Sequence, residues 1–169
     1  MFHSKPELSA VEMLLRVAGF ALVEGFDNAD QSREFLETGW SLMPQYDGRL
    51  ENEVKARDRY KDLPLSQALG EIGPHTEGVA YQVPPQYLAL YCITPAEIGG
   101  ETCIYDGFKV FTGLDRGQWD FVCNKRFDFM TEGNYAKEKE QHSLKPMVIK
   151  NTKNQLQFNF SSNFFTYGS

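Results

Sequence analysis

The chain is expected to fold as a mainly β domain with flanking helices, an α+β class. Three observations predict this. Runs rich in aromatic and β-branched residues recur at 87–93, 101–105, 126–130, 147–150 and 156–160. Turn residues separate them, with Pro84-Pro85, Pro95, Gly99-Gly100 and Asn151-Thr152-Lys153-Asn154 at their ends. Apolar residues at helical spacing open the chain, so the helices of the N-terminal third are expected to pack outside the sheets.

Taken in order, Leu8, Val11, Leu14, Leu15 and Ala18 lie on one face of a helix over 6–18 that Gly19 ends, and this face is expected to pack on a sheet. Residues 20–26, F-A-L-V-E-G-F, predict a strand. Asp27, Asn28 and Asp30 offer caps for a second helix through 31–38 that stops at Gly39. From 43 to 69 the chain is polar, broken by Pro44, Gly48 and Pro64 and charged over 51–60; it is either a solvated surface segment or a lid over a site.

The aromatic run at 87–93 predicts a buried strand, Gly99-Gly100 a turn, and 101–105 the return strand ending at Asp106-Gly107. A short helix is expected near 108–114, followed by 118–123. The alternation in 126–130, R-F-D-F-M, predicts a strand with one buried face, and 133–143 a polar loop. Residues 147–150 and 156–160 predict a hairpin.

A length of 169 residues suits one domain, here 1–169 with an opening helix-strand-helix over 1–45 and a β core over 74–169. Hydrophobic residues make up 41% and charged residues 24%, as in an ordinary globular chain. The net charge of −6 argues against a nucleic-acid surface, which needs clustered cations. No apolar run approaches the roughly 20 residues that cross a bilayer, and the N-terminus has no basic stretch followed by an apolar one. A soluble cytoplasmic protein is expected. Cys92, Cys103 and Cys123 have neither disulfide-framework nor zinc-knuckle spacing, and the first two are expected as small buried hydrophobes.

His75 and Glu77 are the residues whose spacing calls for a chemical explanation. On extended backbone an H-x-E pair points to one side, so an imidazole and a carboxylate converge. That is the facial arrangement non-haem Fe(II) uses while keeping sites open for co-substrate and O₂. The same two residue types also suit acid–base chemistry.

The ordered pieces that follow resemble the iron and 2-oxoglutarate dependent oxygenases of the taurine dioxygenase type, and the Glu in H-x-E is similar to the clavaminate synthase branch. The pieces are His75-Thr76-Glu77, the stretch from Pro85 to Ala96 that carries P-x-x-L-x-x-x-C-x-x-P-A, and Gly99-Gly100-Glu101-Thr102. The resemblance implies a double-stranded β-helix, also called a jelly roll and cupin-like, of which this chain forms part. It implies His75 and Glu77 as two iron ligands and Thr102 as a hydrogen-bond partner of the 2-oxoglutarate carboxylate. It places Leu65, Ser66 and Gln67 beside the substrate. The activity implied is oxidation of a small molecule, coupled to conversion of 2-oxoglutarate into succinate and CO₂.

Family members continue past the final hairpin to a distal histidine ligand and an arginine that clamps 2-oxoglutarate, whereas this sequence stops at Ser169. His142 is then either a solvated loop histidine or the third ligand. Lys145, Lys150 or Lys153 would stand in for the arginine as a point charge. An incomplete barrel leaves a strand edge and the aromatic tail Phe158, Phe160, Phe164, Phe165 and Tyr167 to cover, so a homodimer or a complementing chain is expected. Besides an oxygenase, two classes fit the sequence: a non-redox enzyme using His75 and Glu77 as an acid–base pair, and an inactive binding or assembly protein.

Overall fold

In the computed structural model the described residues are 6–45, 48–55, 72–130, 142–151 and 154–162, with the backbone of 165–167. They carry four helices and five short strands in the order α1 (Leu8–Ala18), α2 (Ala29–Glu37), α3 (Gly107–Thr112), α4 (Arg116–Asn124), β1 (Arg126–Met130), β2 (His142–Pro146), β3 (Val148–Lys150), β4 (Leu156–Phe158) and β5 (Phe165–Tyr167). The chain divides into two compact units, one of Met1–Met43 with Ala89–Glu101 and one of Pro44–Leu88 with Thr102–Ser169.

In the first unit, α1 ends where Gly19 takes φ +82° and donates its N–H to the Leu15 carbonyl. Only Val11 of α1 is buried. Its first residue, Leu8, lies so close to Gly39 that a Cβ there would meet the leucine methyls at 2.7 Å. Asn28 caps α2 by accepting from the Gln31 N–H at 2.9 Å, and the Gln31 side chain in turn accepts from the Asp27 N–H at 3.2 Å. Residues 20–26 form no strand, contrary to expectation. Phe26 turns its ring onto Phe35 of α2 instead, with centroids 5.4 Å apart.

The second unit holds both sheets. β1 is central in the first, with order β2-β1-β5 and all pairs antiparallel; β3 and β4 form the second, an antiparallel pair. Strand alternation puts Phe127 and Phe129 on one face of β1, and the register sets Lys145 and Ser143 of β2 opposite them on that face. All four are buried. Phe127 and Phe129 pack with Val79 and the partly buried Met147 to form the core. Asp115 and Gln118 close a capping box on α4, which sets Phe121 edge-on to Phe127 at 5.9 Å. Asp106 caps α3, whose Phe111 stacks on Phe158 of β4 at 4.4 Å while Phe108 meets the same ring edge-on at 4.7 Å.

The expected hairpin is present, and so are the strand at 126–130 and the short helix near 108–114; a second helix, α4, stands between them. The expected loop at 133–143 is corrected at its end, since His142 and Ser143 already belong to β2. Two further strand expectations are corrected. Residues 87–93 and 101–105 join no ladder among the described residues, and Leu90 and Ile93 stand 68% and 67% exposed. Cys92 and Cys103 are exposed with them, not buried. A strand exists only where a neighbour takes up its N–H and C=O groups, which composition alone does not supply. Gly99 and Gly100 do make the expected turn, at φ +77° and +79°. Part of the aromatic tail also has a defined place, because β5 pairs along β1.

Candidate metal centre

His75 is held by a short antiparallel pairing with the segment that leaves β4. The Ser162 N–H donates to the Pro74 carbonyl at 3.1 Å and the Thr76 N–H to the Phe160 carbonyl at 2.7 Å, so His75 lies directly opposite Ser161. Hydrogen bonds on either side of a residue pair mark the close kind of antiparallel pair, whose side chains share a face. Ser161 is buried there. The extended backbone expected through Glu77 gives way at that residue, where the chain enters a turn over 77–80. Gly78 makes this possible at φ +64°, and the Tyr81 N–H closes the turn on the Gly78 carbonyl at 2.9 Å. Val79 and Ala80 are buried, and the Lys145 ammonium donates to the Tyr81 carbonyl at 2.7 Å.

The two anchors bring the side chains together, with His75 Nε2 3.8 Å from Glu77 Oε2. The side chains are 39% and 44% exposed, so a small ion or ligand has access. His75 Nδ1 lies 2.9 Å from the Gly73 carbonyl, which only accepts, so Nδ1 carries the proton. In the neutral ring this leaves the lone pair on Nε2, the atom beside Glu77. A backbone carbonyl that fixes the tautomer in this way is the usual support for a metal-binding histidine. Two donors each about 2.1 Å from one ion stand at most about 4.2 Å apart, and the observed separation lies within that limit. The pair fits a divalent metal as two of its ligands.

Thr102 is exposed in an irregular stretch of the same unit, and no hydrogen bond joins it to the pair among the described residues. His142 does not join them either. It stands on the outer face of β2, with Nδ1 3.3 Å from both carboxylate oxygens of Asp128 on β1. Among the described residues no group of three or more His, Cys, Asp or Glu is placed to share an ion. Leu65, Ser66, Gln67 and Lys153 lie outside the described residues. Lys150 is exposed at the end of β3, whereas Lys145 is buried and bonded to Tyr81. Burial lowers its ammonium from the ordinary 10.5 to about 8.

Sequence reasoning missed Thr76 and Ser161 as builders of this site, and it named Lys145 only as a stand-in for an arginine, not as the donor that holds Tyr81. Their contacts join segments distant in the sequence, 84 positions apart for Thr76 and Phe160, and no local pattern announces such a pairing.

A family model described as taurine catabolism dioxygenase TauD, TfdA family, matches residues 2–167. With nearly the whole chain matched, the protein belongs to that family, whose members are in general dioxygenases that use Fe(II) and 2-oxoglutarate. Searches of curated proteins and of solved structures returned no match. No helix among the described residues is long and apolar enough to cross a membrane.

Proposed function

We propose that this chain is a non-haem Fe(II) and 2-oxoglutarate dependent oxygenase, or one part of one, acting on a small molecule, with its two small sheets belonging to a double-stranded β-helix. The observation that supports it most is the His75–Glu77 pair, with Nε2 and Oε2 3.8 Å apart and the imidazole tautomer fixed by Gly73. His75 Nε2 and a Glu77 oxygen would hold the Fe(II), and the Thr102 hydroxyl would bond a carboxylate oxygen of 2-oxoglutarate. When bound, iron and 2-oxoglutarate supply the oxidation by O₂, with release of succinate and CO₂.

The protein's own part is placement. The Gly73 carbonyl holds the ring with the lone pair on Nε2, the atom beside Glu77. Glu77 brings a negative charge to the same point, favouring a cation. Two protein ligands would leave room at a bound metal for a co-substrate.

Anaerobic titration of Fe(II) with 2-oxoglutarate into wild type, His75→Ala and His142→Ala tests the reading, followed by succinate release in air. The expected result is the visible chelate band in wild type, its loss in His75→Ala, and its retention in His142→Ala, whose imidazole bonds to Asp128. No band and no succinate from wild type refutes the oxygenase and leaves the acid–base enzyme or the binding protein.

A further inference from the structure

We propose that Thr76, the middle residue of H-x-E, is the positioning residue of the pair, its hydroxyl fixing where strand pairing stops and so where Glu77 turns back beside His75. The proposal rests on the metal-site reading of that pair.

The register that sets His75 opposite Ser161 also sets Thr76 opposite Phe160. At such a position an ordinary antiparallel ladder exchanges two backbone bonds between the facing residues. Here only one has that form, the Thr76 N–H on the Phe160 carbonyl at 2.7 Å. The Phe160 N–H goes instead to the Thr76 hydroxyl oxygen at 3.0 Å, and the same oxygen lies 3.4 Å from the Phe160 carbonyl, to which it donates. The hydroxyl thus takes the place of the Thr76 carbonyl in the ladder. Released from pairing, the peptide after Thr76 can rotate, and the next residue enters the 77–80 turn. Without the hydroxyl, the Phe160 N–H regains a partner only by drawing the Thr76 carbonyl back into the ladder. That continues the strand and carries Glu77 out of the turn.

The contacts also explain why the function is local. Residues 160–162 reach the 74–76 segment by two backbone–backbone bonds and by this hydroxyl, and the partly buried hydroxyl is the one contact of the three a side-chain substitution removes. Valine has the same shape without the hydroxyl, and serine has the hydroxyl without the methyl group.

The test uses Co(II) as the probe metal, followed by its visible absorption, on wild type, Thr76→Val and Thr76→Ser. A second readout is the ¹⁵N spectrum of the His75 ring in metal-free protein at fixed pH. Thr76→Val is expected to bind Co(II) about tenfold more weakly, the scale of supporting-shell losses. Its His75 ring should also move from the Nδ1-protonated signal toward tautomer averaging. Thr76→Ser is expected to keep the wild-type ring signal and to bind within about threefold of wild type, because the hydroxyl is retained. A Thr76→Val protein with wild-type affinity and a wild-type ring signal overturns the proposal. So does a tenfold loss in Thr76→Ser, which would assign the effect to the methyl group and remains decisive if the valine variant does not fold. If wild type binds no Co(II), the metal reading falls, and an unchanged ring in Thr76→Val then overturns the positioning role separately.

Discussion

Replacing Lys145 by methionine should leave stability near the wild-type value at pH 7 and lower it progressively, relative to wild type, at higher pH. Lys145 is 7% exposed, faces Phe127 across the ladder, and holds its ammonium 5.9 Å from the centroid of the Phe129 ring. Loss of hydration lowers its pKa from 10.5 to about 8. At about 1.4 kcal/mol per unit, keeping the amine charged in the fold costs up to about 3 kcal/mol compared with its neutral form. The hydrogen bond to the Tyr81 carbonyl acts in the other direction, and leaving that carbonyl without a donor costs about 1–3 kcal/mol. Methionine keeps the stem, removes the buried charge and removes the donor, so the two effects nearly cancel at pH 7. The pH dependence has a definite sign. Between about pH 8 and 10.5 the unfolded chain still holds the proton that the folded chain has released, so the unfolded state binds more protons and wild-type stability rises with pH. Below pH 8 both states are protonated and the increment is absent. Urea unfolding of both proteins from pH 7 to 10 isolates the effect, because the other titrating groups are common to them. The stability of wild type minus that of Lys145→Met should grow with pH by up to about 3 kcal/mol. A difference that does not change across the window refutes the argument that burial controls this amine.

Two further substitutions test the packing around the pair. The Ser143 hydroxyl is fully buried with no hydrogen-bond partner among the described residues, so Ser143→Ala should raise stability by about 1 kcal/mol in urea melts; a loss of that size would show that the hydroxyl is satisfied. Gly78→Ala faces positive φ and a Cβ 2.6 Å from the Pro85 ring and 2.8 Å from the Tyr81 ring. It should destabilise by more than about 1 kcal/mol and open the turn after Glu77, seen as faster proteolysis between 77 and 81.

Local hydrogen bonding made much of this chain legible. The ends of α1 and α2 follow from Gly19 and Asn28, because a cap is a contact between residues three or four apart. β1 follows from the alternation of Phe127 and Phe129, and the hairpin from the polar link at 151–154, where Asn154 takes φ +59°. The strand expectations at 20–26, 87–93 and 101–105 failed for the complementary reason. Propensity describes what a residue tolerates on a pleated surface, and the partner that makes a strand is supplied from elsewhere.

For the site, the sequence by itself pointed to the family and offered His75 and Glu77 as candidate ligands, since H-x-E and the G-G-x-T that follows it are contiguous chemistry. It did not determine how they meet. The tautomer of His75 depends on the Gly73 carbonyl, the end of its pairing on Phe160, and the closure of the turn after Glu77 on the Tyr81 N–H, whose residue the Lys145 ammonium holds by its carbonyl. His142 shows the same division: its type suits a ligand, but β-sheet register sets it beside Asp128 on the outer face of β2. Residue type states which bonds a side chain is able to make. Which of them it makes is set by contacts such as that of Thr76 with Phe160, formed only once the chain has folded and their 84-position separation has closed.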